Sequence, residues 1–259
     1  MTKDHEALLS KVPEVTLVFW LIKIVATTLG ETGGDALSMT LNLGYAISTL
    51  IFFSIFLVVV VAQIRAKAFH PFLYWGVIVA TTTAGTTLAD FVDRSLGIGY
   101  VGGSLILLSL LAIVVLCWRI VEGKISVDHI TSPRVELFYW MTIFTSNTLG
   151  TALGDWLADT RGMGYEGGAL VFSGALLVVA ALFFFTKLSR PALFWAAFIL
   201  TRPLGATLGD LLTKPHEKGG FNMDRITSSL VLALFVIACV MFLRQRAGRH
   251  PGHAEASAT

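Results

Sequence analysis

TTLGETGGD at residues 27–35, TTAGTTLAD at 82–90, NTLGTALGD at 147–155 and RPLGATLGD at 202–210 are one phrase written four times. Each copy ends on an aspartate (Asp35, Asp90, Asp155, Asp210) that follows a tryptophan (Trp20, Trp75, Trp140, Trp195) by fifteen residues. Counting from the tryptophan, position ten is glycine in every copy (Gly30, Gly85, Gly150, Gly205), and position fourteen is Gly34, Ala89, Gly154 or Gly209. The fold therefore follows from how one unit meets its own copies.

Hydrophobic residues make up 55% of the chain and charged residues 14%, against roughly 25% charged in ordinary soluble domains. The mean hydropathy is +0.75, and the implied environment is a lipid bilayer. Apolar runs of the roughly 20 residues that a spanning helix needs lie near 15–37, 45–63, 72–91 and 105–121, then near 137–157, 169–185, 192–212 and 226–242. These predict eight transmembrane helices, two per repeat.

Basic residues set the orientation, because cytoplasmic loops carry an excess of Lys and Arg. Twelve (Lys3, Lys11, Arg65, Lys67, Arg119, Lys124, Arg134, Lys187, Arg190, Arg244, Arg246, Arg249) fall on the side of the N terminus, and five (Arg94, Arg161, Lys214, Lys218, Arg225) on the other. Both termini are expected in the cytoplasm. A net charge of +2 distributed in this way reflects topology, and nothing in it suggests nucleic acid as a partner. The polar start runs into the first helix without a small-residue cleavage pattern, so no cleavable signal peptide is expected. Cys117 and Cys239 are expected as buried apolar residues rather than a disulfide framework.

The tryptophans are spaced by 55, 65 and 55 residues, which divides the chain into halves offset by 120. The expected organisation is a cytoplasmic tail over 1–14, a first half over 15–121, a linker over 122–134, a second half over 135–243 and a disordered tail over 244–259. Because each repeat has two helices, all four enter the membrane in the same sense. That predicts an all-α membrane protein of four tandem helical hairpins with pseudo-symmetry about the membrane normal, not an inverted repeat. Positions ten and fourteen form a small-xxx-small pair that lets helix backbones approach. Gly44-Tyr45, Gly99-Tyr100 and Gly164-Tyr165 come twenty-four residues after their tryptophans, and Gly220-Phe221 follows one residue late. Tryptophan at one interface and tyrosine at the other fits two aromatic belts.

Positions seven, eleven and fifteen share a helix face. They read Thr27, Glu31, Asp35; Thr82, Thr86, Asp90; Asn147, Thr151, Asp155; and Arg202, Ala206, Asp210. Ionised groups in hydrocarbon cost several kcal/mol, so these stripes must face inward. Four inward stripes would bring the aspartates to one level, with Glu31 about one turn, roughly 6 Å, away. Five acids set against Lys23 and Arg202, the two charges that break the repeat, leave a formal balance of minus three. Such a site favours a cation. Asp35, Asp90, Asp155, Asp210 and Glu31 are the candidate ligands or proton carriers, with the four aspartates as candidate metal ligands. Thr27, Thr82, Thr86, Asn147 and Thr151 would line a path, and Lys23 would pair with Glu31 through Thr27. Pro203 removes a helix hydrogen bond beside Arg202.

The six histidines lie in tails and loops without metal-ligand spacing. There is no phosphate-cradling loop and no nucleophile-base pair, so the chain is not expected to be an enzyme or to hold a cofactor. The loop acids Asp93, Asp159, Glu166 and Glu217 read as solvated charges. The four quoted units resemble the bacterial inner-membrane family defined by a tandem two-helix repeat of unknown function. The resemblance implies a polytopic protein of the bacterial inner membrane. From the residues themselves, the expected function is transport of a small inorganic cation, with oxygen ligands that suit hard ions or protons. The alternative is a non-transporting membrane scaffold whose stripes are closed by hydrogen bonds between helices.

Overall fold

A computed structural model describes residues 11–123, 125, 132–160 and 163–247; the expected disorder over 248–259 and most of the 122–134 linker lie outside them. Among the described residues there are eight long α-helices and no strand. They are α1 (Leu17–Asp35), α2 (Gly44–Arg65), α3 (Pro71–Asp90), α4 (Gly99–Glu122), α5 (Pro133–Asp155), α6 (Gly164–Phe185), α7 (Arg190–Thr213) and α8 (Arg225–Phe242). Local chemistry sets their ends. Thr16, Ser132 and Asp224 accept hydrogen bonds from the backbone N–H of Phe19, Val135 and Thr227, which satisfies donors that a helix start leaves free. Pro71 and Pro133 occupy first-turn positions where no N–H is missed. Gly44, Gly99 and Gly164 have φ of 73°, 75° and 67°, so the glycine of each Gly-Tyr pair is required by the turn into the second helix.

The first helices of the four repeats form a closed ring: α1 packs on α3, α3 on α5, α5 on α7, and α7 back on α1. The second helices lie outside it, and each packs on the next repeat. Thus α2 lies on α3, α4 on α5, α6 on α7, and α8 closes the series on α1. This corrects the expectation of helical hairpins, because the main partner of each second helix belongs to the following unit. Interlocking of this kind makes every repeat depend on its neighbour.

Glycine at position ten is the reason the inner helices come so close. A Cβ on Gly30 would lie 2.3 Å from Thr82 Oγ1, one on Gly205 would lie 2.2 Å from Thr27 Oγ1, and one on Gly150 would lie 2.6 Å from Arg202 Cγ. In each case the group met sits at position seven of the next copy. Backbone carbonyls come within reach as a result: Thr27 Oγ1 is 3.1 Å from the Thr201 carbonyl and Thr82 Oγ1 is 3.3 Å from that of Ala26.

Seven of the eight helices are long and apolar enough to cross a membrane. The expected eighth span is present as the helix α5, but it falls outside that set. Its Thr142, Thr145, Ser146, Asn147, Thr148 and Thr151 lower its hydropathy, and all six are buried in the bundle. Outer helices instead expose apolar side chains such as Leu50, Val58, Leu116, Leu177, Leu234 and Phe242. Cys239 is buried but Cys117 is exposed, contrary to expectation. It faces outward on α4 among other apolar residues.

The tryptophans do not form an outward belt. Trp75 and Trp140 are buried within an aromatic core at the N-terminal ends of the inner helices, where Phe19, Tyr74, Tyr139, Phe194 and Phe198 meet. Edge-to-face contacts, such as Tyr74 on Trp75 and Tyr139 on Trp140, knit this floor together. The segments that flank the bundle meet beneath it, with Val12 buried in the same cluster and Pro13 bridged to Ala247.

Candidate functional site

Asp35, Asp90 and Asp155 are the last residues of α1, α3 and α5, and Asp210 lies in the final turn of α7. The ring therefore gathers all four at the end opposite the aromatic floor. Each is at most 2% exposed, and so is Glu31. Carboxylate oxygens of Glu31, Asp155 and Asp210 lie within 4.8 Å of one another, and those of Glu31, Asp35 and Asp90 do likewise. Glu31 is thus common to both groups, nearer to the aspartates than its one-turn offset suggested.

Cations that the sequence placed in loops fold into this cluster. Arg94 Nε lies 3.0 Å from Asp90 and its Nη2 lies 3.1 Å from Asp155. Lys214 Nζ lies 3.0 Å from Asp210 and 2.7 Å from Asp35. Each cation holds its own repeat's aspartate and that of the next. Arg225 adds a contact of 3.5 Å to Asp35, and Arg202 a contact of 3.4 Å to Glu31. Five carboxylates against these four cations leave a formal charge of minus one. Burial alone would pull Lys214 down, but Asp210 and Asp35 hold it well above the ordinary lysine range.

These partners were missed because they were counted as loop charges. A signal did exist: Arg94 and Lys214 follow Asp90 and Asp210 by four residues and are offset by 120, like the halves. In the second repeat the helix continues past its aspartate as a π-helical turn, Phe91–Ser95, and in the fourth α7 runs on to Thr213. The added basic side chain therefore stays on the inner face. Tyr45 and Tyr100 are spent on Arg94, which lies 6.0 and 5.8 Å from their ring centroids and donates to the Tyr45 hydroxyl at 3.2 Å.

Beneath the aspartates, Arg202 is fully buried. Its Nη2 donates to Thr86 Oγ1 at 2.6 Å and to Thr151 Oγ1, and lies 3.4 Å from both Glu31 Oε2 and the Thr82 carbonyl. Thr86 lies 3.1 Å from Glu31 in turn. Thr27 and Asn147 are buried but turn elsewhere, Thr27 toward backbone carbonyls of its own helix and of Thr201, Asn147 toward Thr81. Lys23 does not pair with Glu31. Its ammonium is buried without a hydrogen-bond acceptor and stands 4.1 Å above the ring of Phe198. The reason is level: position three lies at the aromatic floor, two helical turns from Glu31. Asp93 is also buried rather than solvated, its carboxylate filling the space left by Gly103.

The model of the family described as Repeat of Unknown Function (DUF347) matches residues 18–69, 73–124, 138–189 and 193–248, which is nearly the whole chain in four tandem copies. No curated protein and no solved structure matches it.

Proposed function

This chain belongs to the DUF347 repeat family, and we propose that it is a multi-pass protein of the bacterial inner membrane that carries a small cation, a divalent metal or one coupled to protons. The four repeats enter with common polarity about an axis along the membrane normal, and both termini lie in the cytoplasm. The observation that carries this reading is the convergence of five buried carboxylates from four repeats in two overlapping groups that share Glu31. Keeping five acids inside an apolar bundle is costly, and fixing a turn does not require them to share one centre. Arg94, Lys214 and Arg202 neutralise the acids while no cargo is bound, and an entering cation displaces one or more of them. An exchange of charge for charge keeps the interior close to neutral throughout the cycle.

The test is ion flux into vesicles containing the purified protein. Flux of Mn²⁺, Mg²⁺ or protons in the wild type should be lost in D35N/D90N/D155N. Unchanged flux in that variant sinks the proposal.

One set of observations favours the scaffold reading. The inner stripes are closed by bonds between helices, from Thr27 to Thr201, Thr82 to Ala26 and Asn147 to Thr81. A protein without flux whose Asn variants lose only thermal stability would be such a scaffold.

A further inference from the structure

Arg202 Nη2 carries two hydrogens, yet four oxygens surround it: Thr86 Oγ1, Thr151 Oγ1, Glu31 Oε2 and the Thr82 carbonyl. A planar N–H₂ group can direct bonds to only two of them. A sphere of positive charge satisfies all four. Two hydroxyls, one carbonyl and one carboxylate form the all-oxygen donor set that hard cations take. Thr86 Oγ1 lies 2.6 Å from the nitrogen and Glu31 Oε2 and the Thr82 carbonyl lie 3.4 Å from it, so these two must close in by about 1 Å to reach the roughly 2.3–2.6 Å at which oxygens ligate a cation of the size of calcium or sodium. The cage is assembled from three helices, since α1 brings Glu31, α3 brings Thr82 and Thr86, and α5 brings Thr151.

The arginine reaches this place by a path that the sequence clears for it. Its stem passes over Gly150, where a Cβ would meet Arg202 Cγ at 2.6 Å and Cβ at 2.9 Å. Within the bundle its Nε finds no acceptor, so only the tip of the side chain is bound. In the other copies position seven is Thr27, Thr82 or Asn147, and none of these brings a charge.

We propose that the oxygens of Glu31, Thr82, Thr86 and Thr151 form a binding site for a sodium-sized monovalent cation, and that Arg202 Nη2 is a tethered cation occupying it. The charge of the ion follows from the occupant: withdrawing one guanidinium removes one positive charge, which one monovalent ion restores. The site lies below the aspartates and shares Glu31 with them, so the inference rests on reading Glu31 as a cation ligand. It adds a second ion of a different class to the first. In the wild type sodium enters only when the guanidinium leaves, which makes Arg202 a built-in competitor that raises the concentration of sodium required.

The test is thermal unfolding of detergent-purified R202T, with threonine taken from the other copies, in sodium chloride and in choline chloride at equal ionic strength. A ligand that binds only the native state raises its melting temperature. R202T should show a saturable rise of roughly 5–10 °C at about one hundred times the dissociation constant. The wild type should need more sodium for the same effect, and E31Q/R202T should lose it. Folded R202T that melts at one temperature in both salts overturns the site. So does a rise produced by Mg²⁺ or Ca²⁺ but not by sodium, or one retained in E31Q/R202T. If R202T cannot be recovered in choline, recovery in sodium supports the site, and failure in both salts overturns it. The two readings separate cleanly. Sodium binding by R202T without any wild-type flux leaves this site standing and removes transport, whereas wild-type flux without such binding does the reverse.

Discussion

Lys214 Nζ lies 2.7 Å from Asp35 Oδ2 across 179 residues of chain, joining the last repeat to the first. Arg94 makes the same link from the second repeat to the third, through Asp90 and Asp155. The ring is thus fastened at two seams by charge, and the seams are related by the offset of 120 that separates the halves.

Replacing Lys214 by methionine leaves Asp35 with its longer contact to Arg225 and takes from Asp210 the cation 3.0 Å away. Removing one partner of a buried ion pair typically costs about 3–5 kcal/mol, so K214M should melt well below the wild type in detergent. Adding D35N and D210N to K214M should recover most of the loss, because two neutral amides need no counter-charge. The sign of the pH dependence follows from Lys214 being held above its ordinary value. A raised lysine contributes its full stabilisation below the unfolded value, near 10.4, and loses it only as pH rises beyond that. Titration of Lys214 itself should therefore leave the gap between wild type and K214M in place through neutral pH and close it only in strongly alkaline solution. K214M that melts with the wild type at neutral pH contradicts the pairing.

Arg94 should not tolerate lysine. Its guanidinium engages Asp90 through Nε, Asp155 through Nη2 and the Tyr45 hydroxyl through Nη1, and an ammonium cannot span three such positions. Because its side chain is 27% exposed, solvent screens part of the loss. R94K should cost about 1–3 kcal/mol, the penalty of leaving one buried group unsatisfied. If R94K matches the wild type in both melting temperature and ion flux, the bridge from Asp90 to Asp155 carries no weight.

Much of this was legible in the sequence, and what was not has identifiable causes. The tryptophan-to-aspartate spacing gave the repeat, and the polar stripe gave the inward face and the shared level of Asp35, Asp90, Asp155 and Asp210. Periodicity describes a helix relative to itself, however, so it could not reveal that α2 leaves its own repeat to pack on α3. Lys214 and Arg94 were misplaced because a loop boundary was drawn at the aspartates, while an added helical turn carries the inner face four residues farther. Lys23 illustrates the opposite error. It shares a stripe with Glu31, but two turns of separation and the ring of Phe198 decide its partner.

Substitution of the position-ten glycines should report on the helix ring directly. A methyl group at Gly30 or Gly205 meets a threonine hydroxyl at 2.3 or 2.2 Å, far inside contact distance, so the helices must part. G30A and G205A are each expected to cost about 1–3 kcal/mol, the usual penalty for overpacking. Gly174 on α6 has nothing within 4 Å of its added methyl, and G174A should be neutral or stabilising by up to about 1 kcal/mol, since alanine favours helix. Equal effects at the three positions count against the close-packed ring.

The pairing of Pro13 and Glu14 with Arg246 and Ala247 makes a further prediction at the aromatic end. Lys11 Nζ bonds to Glu136 at 2.8 Å and to the Ile64 carbonyl at 2.9 Å, while Gln63 Nε2 donates to the Lys11 carbonyl at 3.3 Å. The Glu14 backbone N–H bonds to the Arg246 carbonyl at 2.9 Å, and Trp75 Nε1 lies 3.4 Å from Gln245 Oε1. One ammonium thus fastens the N-terminal strap to α2 and α5, and the strap in turn holds the C-terminal segment beneath Trp75. K11A takes from the buried Glu136 carboxylate its cation and should release both segments together, whereas E136Q keeps an acceptor for Lys11 and should release them less. The readout is hydrogen exchange at the Glu14 amide, whose protection measures the free energy of local opening. Exchange should accelerate by about tenfold or more in K11A, the equivalent of losing roughly 1.4 kcal/mol or more, and by less in E136Q. Unchanged exchange in K11A means that the strap is held by Val12 in the aromatic core alone, and that the ion pair is incidental to it.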